Sequence, residues 1–280
     1  MIVELGSRGY DVSSRALVMG ILNRTPDSFY DAGSYWDFDA FLGRAEKLVA
    51  EGADLLDVGG VKAGPGPEVT EAEEMDRVVP AIEALHRRFD LPISVDTWRA
   101  SVARESYAAG AVVGNDISGF ADPDFLPAAA EAGASVVACH VRLAPRVADP
   151  EPVYGNLMEE VSRFLSERAR WAVDAGIPAR RVMLDAGHDL GKTPQMSTEL
   201  LHRAGELVDL GYPVLLSVSN KRFLGELTGT DVGDRREATL AAHTLGIGLG
   251  CRILRAHDVV GTRRVADFMS AILQSRGAMA

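Results

Sequence analysis

Short runs of apolar and β-branched residues recur along the chain, and each is followed by a turn and then by a segment with helical periodicity. The eight runs are ALVMGIL (16–22), ADLLDV (53–58), PISVD (92–96), AVVGND (111–116), ASVVACH (134–140), RVMLD (181–185), PVLLSVS (213–219) and CRILRAH (251–257). Strands that alternate with helices pair in parallel, so eight β-α units in about 250 residues predict an α/β fold, a (β/α)8 barrel. A doubly wound open sheet is the alternative.

The segment between the first two runs carries a clear helical pattern. One helical face collects its apolar residues, Phe41, Leu42, Ala45, Leu48 and Val49. Gly52 follows as a helix-ending signal, and residues 157–165 repeat the spacing. The first fifteen residues predict a β-hairpin that closes the bottom of the barrel. No linker rich in proline or serine divides the chain, so we expect one domain over residues 1–280, with the hairpin in 1–15 and the barrel in 16–275.

Charge and cysteine content narrow the class of protein. The net charge of −11 argues against a nucleic-acid-binding surface, which is usually basic. Cys139 and Cys251 lie inside apolar runs and predict buried, reduced thiols, as in the cytoplasm. The N-terminus lacks the pattern of a signal peptide, and no apolar run approaches the roughly 20 residues that span a bilayer. We therefore expect a cytoplasmic protein with no nucleic-acid or membrane partner.

Every predicted strand ends in polar residues, where a barrel carries its chemistry. They are Asn23, Asp57, Asp96, Asn115 with Asp116, His140 with Arg142, Asp185, Ser219 with Lys221, and Arg255 with His257. Taken alone, Asp57 or Asp116 is more typical of a helix cap or a turn. Together the eight ends predict a ring that binds a small, polar, partly anionic molecule.

Two other motifs suggest a P-loop and a metal site, but neither has the residues that its function requires. GHDLGKT (187–193) is one residue too short between its glycines for a phosphate-binding P-loop and carries Asp189. His140, His188 and His257 are the candidates for a metal site, but the first strand ends in Asn23 instead of a His-x-His pair, which argues against a resident transition metal. His86, His202 and His243 lie in predicted helices and are typical surface or core residues.

Ordered motifs resemble the dihydropteroate synthase family over about residues 16–270. They are MGILNRTPDSFYDAG, DVGG, ISVDT, ND at 115–116, the His140/Arg142 pair, the loop from Asp185 to GKT, SNKRFLG and RAHDV. The resemblance implies a barrel that joins 4-aminobenzoate to 7,8-dihydropterin pyrophosphate with Mg²⁺ and releases pyrophosphate. It also implies a homodimer.

The resemblance assigns roles to individual residues. Pterin binding falls to Asp96, Asn115, Asp185 and Lys221, and the 2-amino-4-oxo edge of a pterin suits carboxylates, an amide and an ammonium. Pyrophosphate binding falls to Asn23, Arg255 and His257, with Asn23 also on the metal. Catalytic roles fall to Asp31, Lys221 and Arg255, and the loops for the second substrate contain Phe29, Lys62, Pro65, Leu190 and Ser219.

The sequence departs from the family pattern in the loops that hold the second substrate. After DVGG the family continues Glu-Ser-Thr-Arg-Pro-Gly, whereas residues 61–66 read VKAGPG and lack the threonine and the arginine. Leu190 replaces a phenylalanine, Asp189 adds a negative charge, and Asn220 replaces the arginine of Ser-Arg-Lys. Arg24 adds one cation in the first loop.

Because the losses spare the pterin pocket, we expect a protein that binds a pterin pyrophosphate but has reduced or no synthase activity. An active synthase in which Lys62 or Arg24 compensates is one alternative. A non-catalytic pterin-binding or regulatory protein is another, and a corrinoid-dependent methyltransferase is a third, although such enzymes have no need of Arg255 and His257. A ring that only stabilises the barrel is a further alternative, but buried carboxylates without a ligand are costly.

Overall fold

The computed structural model describes residues 1–25 and 38–277. The strands are β1 Ile2–Leu5, β2 Arg8–Asp11, β3 Leu17–Asn23, β4 Leu55–Gly59, β5 Ile93–Asp96, β6 Val113–Asp116, β7 Ser135–Cys139, β8 Val182–Asp185, β9 Leu215–Leu216 and β10 Ile253–Ala256. The helices are α1 Phe38–Ala50, α2 Glu71–Arg88, α3 Ala100–Ala108, α4 Phe125–Glu131, α5 Leu157–Asp174, α6 Pro194–His202, α7 Ala204–Val208, α8 Arg222–Thr228, α9 Arg236–Gly248 and α10 Val259–Gly277, with short 3₁₀ helices at Ala179–Arg181 and Val232–Asp234. Among these helices, none is long and apolar enough to cross a membrane.

The eight predicted strands form one parallel sheet in the order β8-β7-β6-β5-β4-β3-β10-β9. A parallel bridge between Leu184 and Val214 joins its two ends, where the Leu184 N–H donates to the Pro213 carbonyl at 2.9 Å. The sheet therefore closes, and the structure confirms the predicted (β/α)8 barrel over the open-sheet alternative.

The seventh barrel strand is much shorter than predicted. The run 213–219 predicts seven residues, whereas β9 contains two, Leu215 and Leu216. Pro213 has no N–H to donate to a ladder, and the Lys221 N–H donates to the Val218 carbonyl at 3.1 Å as the chain turns. The end of this run therefore belongs to the mouth of the barrel.

The N-terminal hairpin β1–β2 covers the bottom of the barrel, as the sequence predicts. Val3, Leu5 and Val12 pack in one buried cluster with side chains that point into the barrel, including Leu17 and Met19. The Gly6 N–H donates to Ser135 Oγ, which in turn donates to the Glu4 carbonyl. These contacts close the apolar end of the interior, so any ligand must enter at the opposite end.

Side-chain alternation along the strands separates two environments. In β4, Leu56 and Val58 pack outward with buried helical residues such as Phe41 and Leu48 of α1. Leu55 points inward with the cluster beneath the barrel. Asp57 lies two residues after Leu55, so the alternation of side chains along a strand points it into the barrel as well. The inner layer thus changes from apolar to polar toward the carboxyl ends of the strands.

Candidate functional site

A polar layer fills the mouth of the barrel at the carboxyl ends of the strands. Its central side chains, here called the mouth cluster, are Asp57, Asp96, Asn115, Asp185 and Arg255. All five are buried or half-buried. They come from five different strands, and barrel closure brings them together.

Arg255 is the centre of the mouth cluster. Its Nε lies 2.6 Å from Asp57 Oδ2, and its Nη2 lies 2.8 Å from Asp96 Oδ2. Asn115 Nδ2 lies 3.3 Å from Asp57 Oδ2. One guanidinium therefore orients two carboxylates, and Asp57 also holds the amide of Asn115.

Asp57 belongs to the mouth cluster and is neither a helix cap nor a turn residue. It lies within β4, is fully buried and makes no cap, so the interpretation as a cap or turn residue is wrong. Asp57 follows Leu55 by two residues in β4, so both side chains point into the barrel, and this alternation indicated that Asp57 belongs to the site. Asp116 does fit the turn interpretation, since it accepts from the N–H groups of Ser118 and Phe120.

Burial shapes the protonation of the acidic groups. It raises the pKa of Asp96 to about 7, and the nearby Arg255 opposes this rise. The pKa of Asp185 is also raised by burial. Burial alone would lower the pKa of Arg255, but Asp57 and Asp96 outweigh it and hold that pKa above its usual value. The cluster therefore combines one fixed cation, Arg255, with two carboxyl groups of raised pKa, those of Asp96 and Asp185.

The loop between β8 and α6 is held by a buried lysine to which the sequence pattern assigns no role. Lys192 Nζ lies 2.9 Å from the Gly187 carbonyl oxygen, 3.0 Å from that of Leu190 and 2.9 Å from His140 Nδ1. Burial lowers the pKa of Lys192 to about 7. Its contacts lie within the protein, so the GK pair supports its own loop.

The same loop supports two residues that the sequence assigns to the pterin. The Gly187 N–H donates to Asp185 Oδ1 at 2.8 Å, and Lys221 Nζ donates to the His188 carbonyl at 3.0 Å. Gly187 has a φ of 65°, and a Cβ there would lie 1.9 Å from the His140 carbonyl oxygen, so only glycine fits.

The carboxylate of Asp189, which the sequence places in a second-substrate loop, makes contacts within the protein. It accepts from the Phe223 N–H at the start of α8 at 3.3 Å, and its own N–H donates to Ser197 Oγ at 3.1 Å. Its negative charge thus complements a helix N-terminus. Arg142 likewise binds within the protein, where it forms a two-pronged ion pair with Asp149.

The expected pyrophosphate residues lie around the same mouth. His257 Nδ1 lies 3.0 Å from Ser219 Oγ, which accepts the backbone N–H of His257 at 3.1 Å. Burial, followed by the charge of Arg255, lowers the pKa of His257 to about 3, so its imidazole is neutral at pH 7. Asn23 ends β3, and its Oδ1 and Asp96 Oδ2 both lie within 3.7 Å of the position that a Cβ on Gly59 would take.

The loop that follows β4 contains the residues that depart from the family pattern. The Arg146 N–H donates to the Ala63 carbonyl at 3.2 Å, and the Arg146 guanidinium binds the Pro67 carbonyl. Lys62 is half-buried and Pro65 is exposed at this loop, and Leu190 is half-buried in the loop after β8. Phe29 and Asp31 lie outside the described residues.

Arg24 packs against α1. Its guanidinium carbon lies 5.3 Å from the ring centroids of both Phe38 and Phe41. Stacking on two aromatic rings accounts for a buried arginine at this position. The idea that it replaces a lost cation stays a prediction.

Comparison with known proteins agrees with this geometry. The sequence profile described as "Pterin binding enzyme" matches residues 19–257. "Inactive dihydropteroate synthase 2" of Mycobacterium leprae is 46% identical over 270 residues, covering 94% of this chain and 93% of its own length. Dihydropteroate synthase of Bacillus subtilis is 41% identical over 265 residues, covering 94% and 90%.

Solved structures show the same likeness. The Yersinia pestis dihydropteroate synthase in complex with a sulfonamide drug superposes with a TM-score of 0.93 and 37% identity, covering 98% of this chain and 100% of its own. The barrel and its polar mouth thus define a (β/α)8 protein of the pterin-binding class. Within that class, the chain belongs to the dihydropteroate synthase family.

Proposed function

We propose that this protein binds a 7,8-dihydropterin pyrophosphate in the mouth of the barrel and has little or no dihydropteroate synthase activity. The observation that supports binding is the mouth cluster, where Asp96, Asn115 and Asp185 converge inside the barrel. In this proposal they meet the donors and acceptors of the pterin edge, and Lys221 approaches from the start of α8. The family, its relatives and the sulfonamide-bound structure support a pterin pocket here.

In the proposal the pyrophosphate lies beside Asn23, Arg255 and His257. Arg255 supplies the positive charge, and the neutral imidazole of His257 supplies a hydrogen bond. Mg²⁺ prefers oxygen ligands and usually keeps contacts to phosphates and water, so the side-chain oxygen of Asn23 fits as its one protein ligand. The ion would neutralise charge on the leaving pyrophosphate.

Loss of synthase activity follows from the loop after β4. The positions of the family's threonine and arginine carry Ala63 and Gly64, so neither a hydroxyl nor a guanidinium is available there. Loss of one such donor typically lowers a rate by about 100-fold or more. Arg146 holds the loop through backbone oxygens, which keeps its shape without restoring those groups.

Two measurements on the purified protein test the proposal. Calorimetric titration with 6-hydroxymethylpterin is expected to show saturable binding. Release of pyrophosphate from 7,8-dihydropterin pyrophosphate, with Mg²⁺ and 4-aminobenzoate, is expected to stay at least about 100-fold below that of an active synthase. Absence of pterin binding would refute the first half of the proposal. A normal rate that depends on 4-aminobenzoate would refute the second and show an active synthase.

A repair variant sharpens the test. A Cβ on Gly64 would meet nothing within 4 Å, so Ala63→Thr with Gly64→Arg fits the existing backbone. The double variant is expected to raise pyrophosphate release by at least about tenfold. Gly43→Arg, at an exposed position of α1 that is equally open, is the matched control. Equal rates in both variants would show that the loop is not the cause of the low activity.

The proposal includes a homodimer. Leu245 of α9 and Phe268 of α10 expose apolar side chains, with 44% and 67% of the residue accessible, and helices α9 and α10 pack side by side. Light scattering is expected to give twice the chain mass of 30.0 kDa. A mass of one chain would refute this part.

A further inference from the structure

Residues 140–154, which lie between β7 and α5, contact both loops that the sequence assigns to the substrates, and this segment is here called the bridge. The Tyr154 hydroxyl donates to the Gly191 carbonyl at 2.9 Å, in the loop between β8 and α6. Gly191 has a φ of 61°, and a Cβ there would lie 2.8 Å from Asp149 Oδ2 and 3.0 Å from Arg142 Cβ. The bridge therefore packs directly on the loop that supports the expected pterin residues.

A buried ion pair holds the bridge in one conformation. Arg142 donates to both carboxylate oxygens of Asp149, whose side chain is 6% exposed. A two-pronged pair of this kind fixes the orientation of both side chains. The first residue of the bridge is also tied to the loop between β8 and α6, since His140 Nδ1 lies 2.9 Å from Lys192 Nζ. The bridge and this loop are therefore expected to move together.

The bridge also holds the middle of the loop after β4. The Arg146 N–H donates to the Ala63 carbonyl at 3.2 Å, and the Arg146 guanidinium donates to the Pro67 carbonyl. A Cβ on Gly66 would lie 3.1 Å from Arg146 Nη2, so the guanidinium lies directly against this backbone. Arg146 itself has a φ of 65°, which is uncommon outside glycine. One residue with an unusual backbone conformation therefore binds the loop through both its main chain and its side chain.

Two other arginines fix the ends of the same loop. Arg77 Nη1 donates to the Gly60 carbonyl at 2.8 Å, and Arg99 Nη2 donates to the Val69 carbonyl at 2.7 Å. Residues 64–68, between these two points, are exposed. The loop is thus fixed at its beginning and its end by the elements that flank it, and its exposed middle is held by the bridge.

We propose that Arg146 and Tyr154 are positioning residues through which a pterin in the barrel mouth restrains the loop after β4 without touching it. A pterin bound to Asp185 and Lys221 fixes the loop between β8 and α6, because the backbone of that loop binds both side chains. Tyr154 passes the restraint to the bridge, and Arg146 passes it to the loop after β4. The inference rests on the proposed function, since the pterin is the ligand that starts this coupling.

Hydrogen exchange of the purified protein, measured with and without saturating 6-hydroxymethylpterin, tests the proposal. This probe has no pyrophosphate, so it leaves the pyrophosphate side of the mouth empty. In the native protein the pterin is expected to slow exchange at residues 61–69 by at least about fivefold, the lower end of typical coupling between two sites. Exchange at these residues that does not slow when the pterin is bound would overturn the proposal.

Two variants interrupt the bridge at its two ends. Arg146→Asn removes the guanidinium, and asparagine tolerates the left-handed backbone at this position. In this variant the slowing at residues 61–69 is expected to disappear. In Tyr154→Phe it is expected to be partly lost, since Asp149 still packs on Gly191. Slowing that persists in full in both variants would overturn the proposal and show that the pterin contacts the loop directly.

Two matched controls separate coupling from a general loosening of the protein. They are Arg104→Gln, at an exposed arginine of α3 paired with Glu131, and Tyr212→Phe, at a half-buried tyrosine after α7. Both are expected to keep the full slowing. A purely structural role of Arg146 or Tyr154 would accelerate exchange equally with and without the pterin and leave the ratio of the two rates unchanged. Loss of the slowing in the controls as well would overturn the proposal.

Failure of the proposed function gives a different result. If calorimetry shows that 6-hydroxymethylpterin does not bind the native protein, pterin binding is refuted, and the bridge is tested without ligand. Tyr154→Phe is then expected to accelerate exchange at residues 61–69, on the far side of the bridge, and unchanged exchange there would overturn the coupling. If the pterin binds and residues 61–69 exchange as they do in the free protein, only the bridge proposal fails.

Discussion

At the scale of the residue, Asp57 is the side chain on which the mouth cluster most depends. Its carboxylate lies between Arg255 and Asn115 and is fully buried. Asp57→Asn removes the charge that faces the guanidinium, and loss of one partner of a buried pair costs roughly 3–5 kcal/mol. We expect a loss of this order in the free energy of unfolding, measured by urea denaturation, and at least about tenfold weaker pterin binding.

Asp90→Asn is the matched control for Asp57→Asn. Asp90 pairs with Arg8 at the surface, and its side chain is 89% exposed. Exposed pairs contribute about 0–1 kcal/mol, so little change in stability is expected. If both variants lose the same free energy of unfolding, the buried Asp57–Arg255 pair contributes no more to stability than an exposed pair.

At the scale of the element, the loop between β8 and α6 depends on Lys192. Lys192→Met leaves the carbonyl groups of Gly187 and Leu190 without their donor, although it also removes a buried charge. We therefore expect a loosened loop with a small change in global stability. Hydrogen exchange at residues 187–192 is expected to accelerate, and pterin affinity is expected to fall by about tenfold.

Lys47→Met is the control for the loop, because Lys47 is 65% exposed on α1 and lies 3.8 Å from Glu51. It should leave both exchange and affinity unchanged. Unaltered hydrogen exchange at residues 187–192 in Lys192→Met would show that the loop keeps its conformation without the ammonium group of Lys192.

At the scale of the whole molecule, buried neutral histidines make stability sensitive to acid. Burial lowers the pKa of His140, His188, His243 and His257. His243 is fully buried in α9, has a pKa of about 4 and contacts Thr262. Below pH 6.5 the unfolded chain takes up a proton at His243 that the folded chain refuses until about pH 4, so stability falls across this window.

His243→Leu isolates that contribution. Loss of the Thr262 contact gives an offset that does not depend on pH. Between pH 7 and pH 4, unfolding curves of the native protein should lose roughly 3 kcal/mol relative to the variant. A difference that stays constant over this range would show that the pKa of His243 is the same in the folded and unfolded chains.

Much of the architecture follows from local pattern. The count of eight apolar runs, the helical spacing between them and the polar residue at each run's end predict the barrel and the edge where its site lies. These features depend on residues within a few positions of each other, and the period of a strand or helix is a local property. The position of Asp96, Asn115 and Asp185 at the mouth therefore follows from the sequence alone.

Which side chains from distant strands contact one another was decided only by the closed barrel. Asp57 and Arg255 are 198 residues apart, and Lys192 and His140 are 52 apart. No periodicity encodes which inward side chain meets which, because the shear and closure of the barrel set those distances. The orientation of Asp189 toward α8, the brevity of β9 and the contacts of Arg146 with the loop after β4 likewise depend on how separate elements pack. The sequence by itself determined the elements and their polar ends, and the tertiary structure decided the partners, because pairing needs the three-dimensional proximity that closure creates.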